Sequence, residues 1–371
     1  MPRLLKILTG GDAKAALANC PRMLAPFADA CPFEERSTYC FVRMTTERVT
    51  LACVALLMFA CGHESKPSSS QSTSPPAPSL KPPAASPKRL TTMPVSAYQA
   101  KIAMDDDAVY LMTSNAAYRL VDGEAPQGLQ LDLGVGPVMT RTAFAFWSKG
   151  AIWSAPKAGG AAREIAKLPH QPQYFVSSGE ALAWVDQADD GMYTIQALSG
   201  RKPRVLVSSQ GEIRALDMVG DRVYFVQRPA DDSWRIGFVH QGGGEPQYGV
   251  TKKGRAPSQL TGSEAVHYYD LDTKRILRLS LNLREEEVEL TKLVCSPIHV
   301  STRIYCGCVE GLFDVSKDTH QPRVLVYNRP GSITSVTSNS KAVAWVVDVG
   351  ADQLAVDFLP ASDAEGPAPV P

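Results

Sequence analysis

Cysteine, histidine and aspartate are the residues of this chain best suited to chemistry, and they are unevenly placed. Cys295, Cys306 and Cys308 stand close together late in the sequence, with His299 among them. Three thiols and an imidazole are ligands that a tetrahedral metal site uses. The same spacing also suits a covalent bridge. Cys306 and Cys308 share one face of a strand, because strand side chains alternate with a period of two. A turn near Thr302 sets Cys295 roughly opposite Cys308, so Cys295–Cys308 is the preferred pair if the protein is exported to oxidising surroundings. Buried free thiols are the third reading. Aspartates recur in short polar segments: Asp186, Asp189 and Asp190; Asp231 and Asp232; Asp270 and Asp272; Asp348 and Asp352. Gathered on one face, they would attract a cation or a basic partner. Aspartate is also a favoured turn residue, because its carboxylate accepts N–H bonds from the residues that follow. The turn reading is the preferred one.

The other five cysteines, Cys20, Cys31, Cys40, Cys53 and Cys61, fall in the first 61 residues. From Met44 the chain reads MTTERVTLACVALLMFACG, a polar start with Arg48, an apolar run from Val49 to Ala60, then Cys61 and Gly62. An apolar stretch of about 12 residues is the core of an export signal and is shorter than the ~20 residues of a spanning helix. Ala60 and Cys61 resemble the cleavage box of bacterial lipoproteins, and that resemblance implies acylation of Cys61. Met44 is the better start, so residues 1–43 read as a non-native extension and residues 44–60 as the signal. Residues 61–88, rich in Ser, Pro and Ala, lack the apolar bulk to offset their ordering entropy. They read as a disordered tether on a membrane anchor. Gly62 after the cysteine points to the outer membrane.

Behind the tether the sequence repeats itself. A short apolar run recurs as AVYLM, AFAFW, ALAWV, RVYFV, AVHYY, RIYCG and AVAWV, with matching positions at Val109, Phe144, Leu182, Val223, Val266, Ile304 and Val343. Successive gaps are 35, 38, 41, 43, 38 and 39 residues. Each copy carries four short alternating segments rich in β-branched and aromatic residues, and no long helical period interrupts them. Four antiparallel strands every ~40 residues make one blade of a propeller. Residues 89–360 are therefore expected to form an all-β, seven-bladed β-propeller, with a disordered tail at 361–371. The last copy lacks its outermost strand. KRLTTMP, residues 88–94, is similar to the outermost strand PRVLVYN of the preceding copy, so the first strand is expected to complete the seventh blade. Closure of this kind leaves no unpaired edge.

HYYDLDTKRILRLSL, residues 267–281, is similar to the YWTD-type propeller repeat. GAIWSAPKAGGAAREIA, residues 150–166, resembles the repeat of bacterial envelope propeller lipoproteins of the TolB-like kind. YWTD propellers generally have six blades, so seven is a departure. The resemblance implies a fold and an envelope setting but no activity, because propellers host many unrelated functions.

The chain has 38 basic and 38 acidic residues, a balance without the basic excess of a nucleic-acid binder. Serine-hydrolase, phosphate-loop, dinucleotide and haem-attachment motifs are absent. His170, in a loop between blades, and His299, on an innermost strand, would reach the mouth of a central channel. With Asp186 and Asp270 they are the candidate ligand residues. No His or Glu recurs at equivalent innermost-strand positions, no residue is assigned to catalysis, and no cofactor is implied beyond a structural or loop-bound cation. The expected function is a non-catalytic binding or scaffold module that meets an envelope protein or glycan. The alternative is a metal-dependent lyase or lactonase with its site at the channel mouth.

Overall fold

The computed structural model describes residues 86–360, apart from 97–99, 114, 130, 132–133, 199, 201, 231, 285, 292–294, 302, 309–310, 317–321 and 328–330. All of them belong to the unit Pro78–Pro371. Cys61, the 1–43 extension, the signal segment, the tether up to residue 85 and the tail lie outside the described residues.

The described chain is all β and forms seven antiparallel sheets. The innermost strands are Lys101–Met104, Val135–Met139, Tyr174–Ser178, Glu212–Val219, Leu260–Gly262, Cys295–Val300 and Ser332–Ser338. Each packs against the innermost strands of its two neighbours, and the cycle closes between Ser332–Ser338 and Lys101–Met104. This is the seven-bladed β-propeller that the repeat predicts. Blade four departs from the four-strand plan: Gln247–Tyr248 and Lys252–Lys253 both pair with Ser233–His240, so its outer edge is broken in two.

The apolar interior is divided into seven clusters, one in each gap between neighbouring blades. Trp184, Phe225, Tyr268 and Trp345 hold equivalent positions on second strands and are nearly or fully buried. They fill gaps between wedges, which needs large rings. Cys306 takes that same position in blade six as a free, fully buried thiol.

The seventh blade is assembled from both ends of the propeller. Lys88–Met93 pairs antiparallel with Gln353–Pro360, which supplies the missing outer strand. Arg89 Nε donates to Asp357 Oδ1 at 3.0 Å, and Asp357 has no accessible surface. The pair fixes the register of the closing strand, with its carboxylate buried and its guanidinium reaching the surface.

Two hairpin turns show how local sequence fixes strand reversal. Lys149–Gly150 and Ala351–Asp352 each form a two-residue loop with positive φ at both positions. That is the turn whose twist matches antiparallel strands. Gly150 adopts it freely, whereas Ala351 carries a Cβ into the left-handed region.

Candidate functional site

The two ends of the disc are built differently. At one end each innermost strand turns into its second strand, and each third strand turns toward its fourth. Here polar bonds join every pair of neighbouring blades. Lys157 Nζ on blade two meets Asp105 Oδ2 on blade one at 2.7 Å. Thr142 donates to Glu180 at 3.2 Å between blades two and three. Arg204 donates to the Gly242 carbonyl between three and four. Arg222 donates to the Leu281 carbonyl at 2.6 Å between four and five. Ser263 donates to the Ser301 carbonyl at 3.4 Å, and the Ser301 and Ser338 hydroxyls lie 2.7 Å apart. Asn339 donates to the Asp105 carbonyl at 2.6 Å and completes the circuit. We call this the sewn end.

At the other end second strands turn into third strands, and the chain passes from blade to blade. Here aspartates cap their own turns. Asp270 Oδ1 accepts from the N–H groups of Asp272 and Thr273, Asp190 from Met192, and Asp348 from Gly350. Asp272 accepts from the N–H of Arg255 on the incoming connection. We call this the open end. Some bonds between blades exist here too, such as Gln227 Nε2 to Ser209 Oγ at 2.6 Å.

The structure brings two of the candidate residues together and separates the rest. His170 Nδ1 lies 3.6 Å from Asp186 Oδ1 at the open end of blade three. Asp186 is buried, and its other oxygen accepts weakly from Gln196 at 3.3 Å. Asp270 holds the equivalent second-strand position in blade five, where its carboxylate is used by its own turn. His299 lies near the sewn end, far along its strand from the open mouth, and its ring is hydrogen-bonded to the Ser338 backbone of blade seven. Cys295 faces Cys308 directly in the strand register, and Cys306 pairs with Ile298. Cys306 and Cys308 are buried. Among the described residues no three His, Cys, Asp or Glu side chains gather in a metal-binding group.

Two channel residues escape the sequence reading. Asp217 sits opposite Tyr224 in blade four, and His299 sits opposite Tyr305 in blade six. These are equivalent register positions, held by an aspartate in one blade and a histidine in the other. Both side chains reach the next blade. The Asp217 carboxylate accepts from the Gly262 N–H of blade five as well as from its neighbour Met218. Burial pushes the Asp217 carboxyl up to about 7, although those two N–H groups favour its charged form. Burial also pushes His299 down to about 4, against the pull of its bond to Ser338. An acidic residue inside the apolar segment IRALDMV reads from sequence as an outward-facing strand residue, which is why Asp217 is missed. Lys101, the first residue of the innermost strand of blade one, is the second omission. Burial holds its ammonium below the usual lysine range.

No family model matches the chain, and no curated protein matches it. Solved structures share its architecture. The mitotic checkpoint complex contains a chain 11% identical, with 76% of this chain and 97% of that one covered at a TM-score of 0.52. The WD40 domain of Neurospora crassa Pan2 is 9% identical, with 76% and 96% covered at 0.51. The AfRom2 CNH domain is 10% identical, with 74% and 99% covered at 0.50. At such identities the likeness is one of fold.

Proposed function

We propose that this chain is a lipid-anchored envelope protein whose propeller is a non-catalytic binding or scaffold module that presents its open end. One observation carries the choice of end. Lys88 and Pro360, where the described propeller begins and finishes, both lie at the sewn end, because Lys88 pairs beside Phe358 and Pro360 pairs with Ala342. The chain therefore enters and leaves the described propeller at the sewn end, and the open-end loops lie at the opposite end of the blades from that entry. Rigid scaffolds commonly carry their binding residues on such loops. The likeness of residues 150–166 to the repeat of bacterial envelope propeller lipoproteins supports an envelope setting, and an outer-membrane anchor fits Gly62 after Cys61. The partner class is an envelope protein or glycan. An exported location would also favour oxidation of Cys295 and Cys308, which the register sets face to face.

The test is fractionation of cells that make the wild type or Cys61→Ser, with metabolic labelling by a clickable fatty acid. The wild type is expected in the membrane fraction and labelled. The variant is expected unlabelled in the soluble exported fraction. A variant that stays with the membrane, or a wild type that takes no label, overturns the anchor.

A further inference from the structure

The repeat lets one open-end position be compared between blades. Four residues after the matching apolar position, the second strands of blades one, three, four and five carry Thr113, Asp186, Gln227 and Asp270. In three of these blades the side chain is engaged. Thr113 Oγ1 donates to the Ala116 carbonyl and accepts from the Ala116 N–H. Gln227 donates to Ser209 and accepts from Arg235. Asp270 Oδ1 accepts from two N–H groups of its own turn. Asp186 differs, because Asp190 caps the turn of blade three in its place. Asp186 Oδ2 receives the bond from Gln196, but Oδ1 is buried and meets no donor among the described residues. A buried carboxylate oxygen without a donor is costly, so such an atom needs an explanation. Trp184 lies two residues earlier on the same strand face and packs in the cluster between blades two and three. Its Nε1–H is buried and likewise donates to no described group.

His170 follows Leu168 of that same cluster and brings Nδ1 to 3.6 Å from Asp186 Oδ1. That separation is too long for a hydrogen bond. It is close to the spacing, about 3.4 Å, of two atoms that each sit ~2.1 Å from one tetrahedral ion. The exposed pair His240 and Asp221 at the sewn end is the contrast: at 2.8 Å the two bond to each other and leave no room between them.

We propose that His170 Nδ1 and Asp186 Oδ1 bind a divalent transition-metal ion of the zinc class at the open end, between blades two and three. An imidazole beside a carboxylate suits zinc, whereas magnesium and calcium take shells of oxygen. Two protein ligands leave the other positions to water, and the half-exposed His170 keeps them open to solvent. A water on the ion would supply an acceptor on the face that carries the Trp184 Nε1–H. A carboxylate or imidazole of a partner can displace such a water, which makes the ion a docking point. This rests on the reading of the propeller as a binding module and names a chemistry for its presented end.

The experiment follows acylation of individual histidines by diethyl pyrocarbonate in the full chain in detergent, read by peptide mass spectrometry, with zinc and magnesium as probes. The read-out is local to His170, so zinc taken up by the cysteines does not enter it. Zinc should slow modification of His170 saturably, by about fivefold or more at tenfold excess over its Kd. Magnesium should not slow it, and His240 should react alike with and without zinc. Asp186→Asn should raise the zinc needed for half-protection about tenfold or more. The comparison of zinc with magnesium on the wild type stands even if the variant misfolds. An unprotected His170, equal protection by magnesium, equal protection of His240, or undiminished protection in folded Asp186→Asn overturns the proposal. Cys61→Ser fractionation is unaffected by any of these outcomes, so the two readings fail separately.

Discussion

The sewn end and the open end of this disc both cap their turns with polar side chains, but at the sewn end polar groups also reach from every blade to the next. Asp105 at the sewn end caps its own turn through Oδ1 but also ties blade one to blade two through Lys157, and its carbonyl holds Asn339 of blade seven. Asp270 at the open end ties nothing to its neighbour through its side chain; it closes the turn it begins. A ring of wedges needs circumferential bonds at one end to fix its radius. It can leave the other end free to vary, because each loop there is stable by itself. The difference teaches where to look for function. Loops that hold the ring together cannot change without cost, whereas self-capped loops on a fixed frame can.

Substitutions should divide along that line, and the largest effect belongs to the closure. Asp357→Ala removes the buried partner of Arg89. It should cost about 2–3 kcal/mol, because the buried acceptor of a charge-assisted hydrogen bond is lost and a gap is left in the interior, while water resolvates the exposed Arg89 head. Urea denaturation of the full chain in detergent measures it, and a loss below about 1 kcal/mol would place the closing strand outside the cooperative unit.

The second test sharpens the comparison through pH. Asp217 is protonated more readily when folded, at about 7 against 3.8 for the free residue. Between those values the folded state holds a proton that the unfolded chain has lost, so this residue's contribution falls as pH rises toward 7. His299 has the opposite sign. Its folded value of about 4 lies below 6.5, so its contribution is lost as pH falls through that interval. Asp217→Asn should flatten the upper limb and stabilise the protein at pH 8 by about 2 kcal/mol, whereas His299→Gln should flatten the lower limb. Parallel pH profiles for the wild type and Asp217→Asn would show that this carboxyl is not strained by burial.

The smallest effect is expected at the open end. Ala351 adopts φ of 52° in the two-residue turn before Asp352. Ala351→Asn places a residue that tolerates this region and should gain about 0.5–1 kcal/mol, read as a raised melting temperature. A loss of similar size would mean that this turn packs on something its geometry does not reveal.

The ring was legible in the sequence because its signals are local and periodic. The run from AVYLM to AVAWV marks each second strand, and the KRLTTMP segment resembles an outermost strand closely enough to be placed in the seventh blade. The joints between blades were not legible. Asn339 and Asp105 lie 234 residues apart, and their contact follows from the radius of the closed ring rather than from any spacing along the chain. The same holds on a smaller scale for His170 and Asp186, which come within 3.6 Å although one lies in a connection and the other on a strand. Lys101 was hidden for another reason. Alternation along KIAM assigns it to a strand face but cannot say whether that face opens on solvent or on the axis.

The Arg89–Asp357 contact spans 268 residues, and that span has a consequence in time. During synthesis the first strand emerges long before its partner. It must wait, unpaired, while six blades assemble behind it. Contacts of such long range form late and slowly, so sealing is the concluding event of folding. Until then the protein is an open crescent with a sticky edge at each tip, and any chaperone that guards it has those two edges to cover.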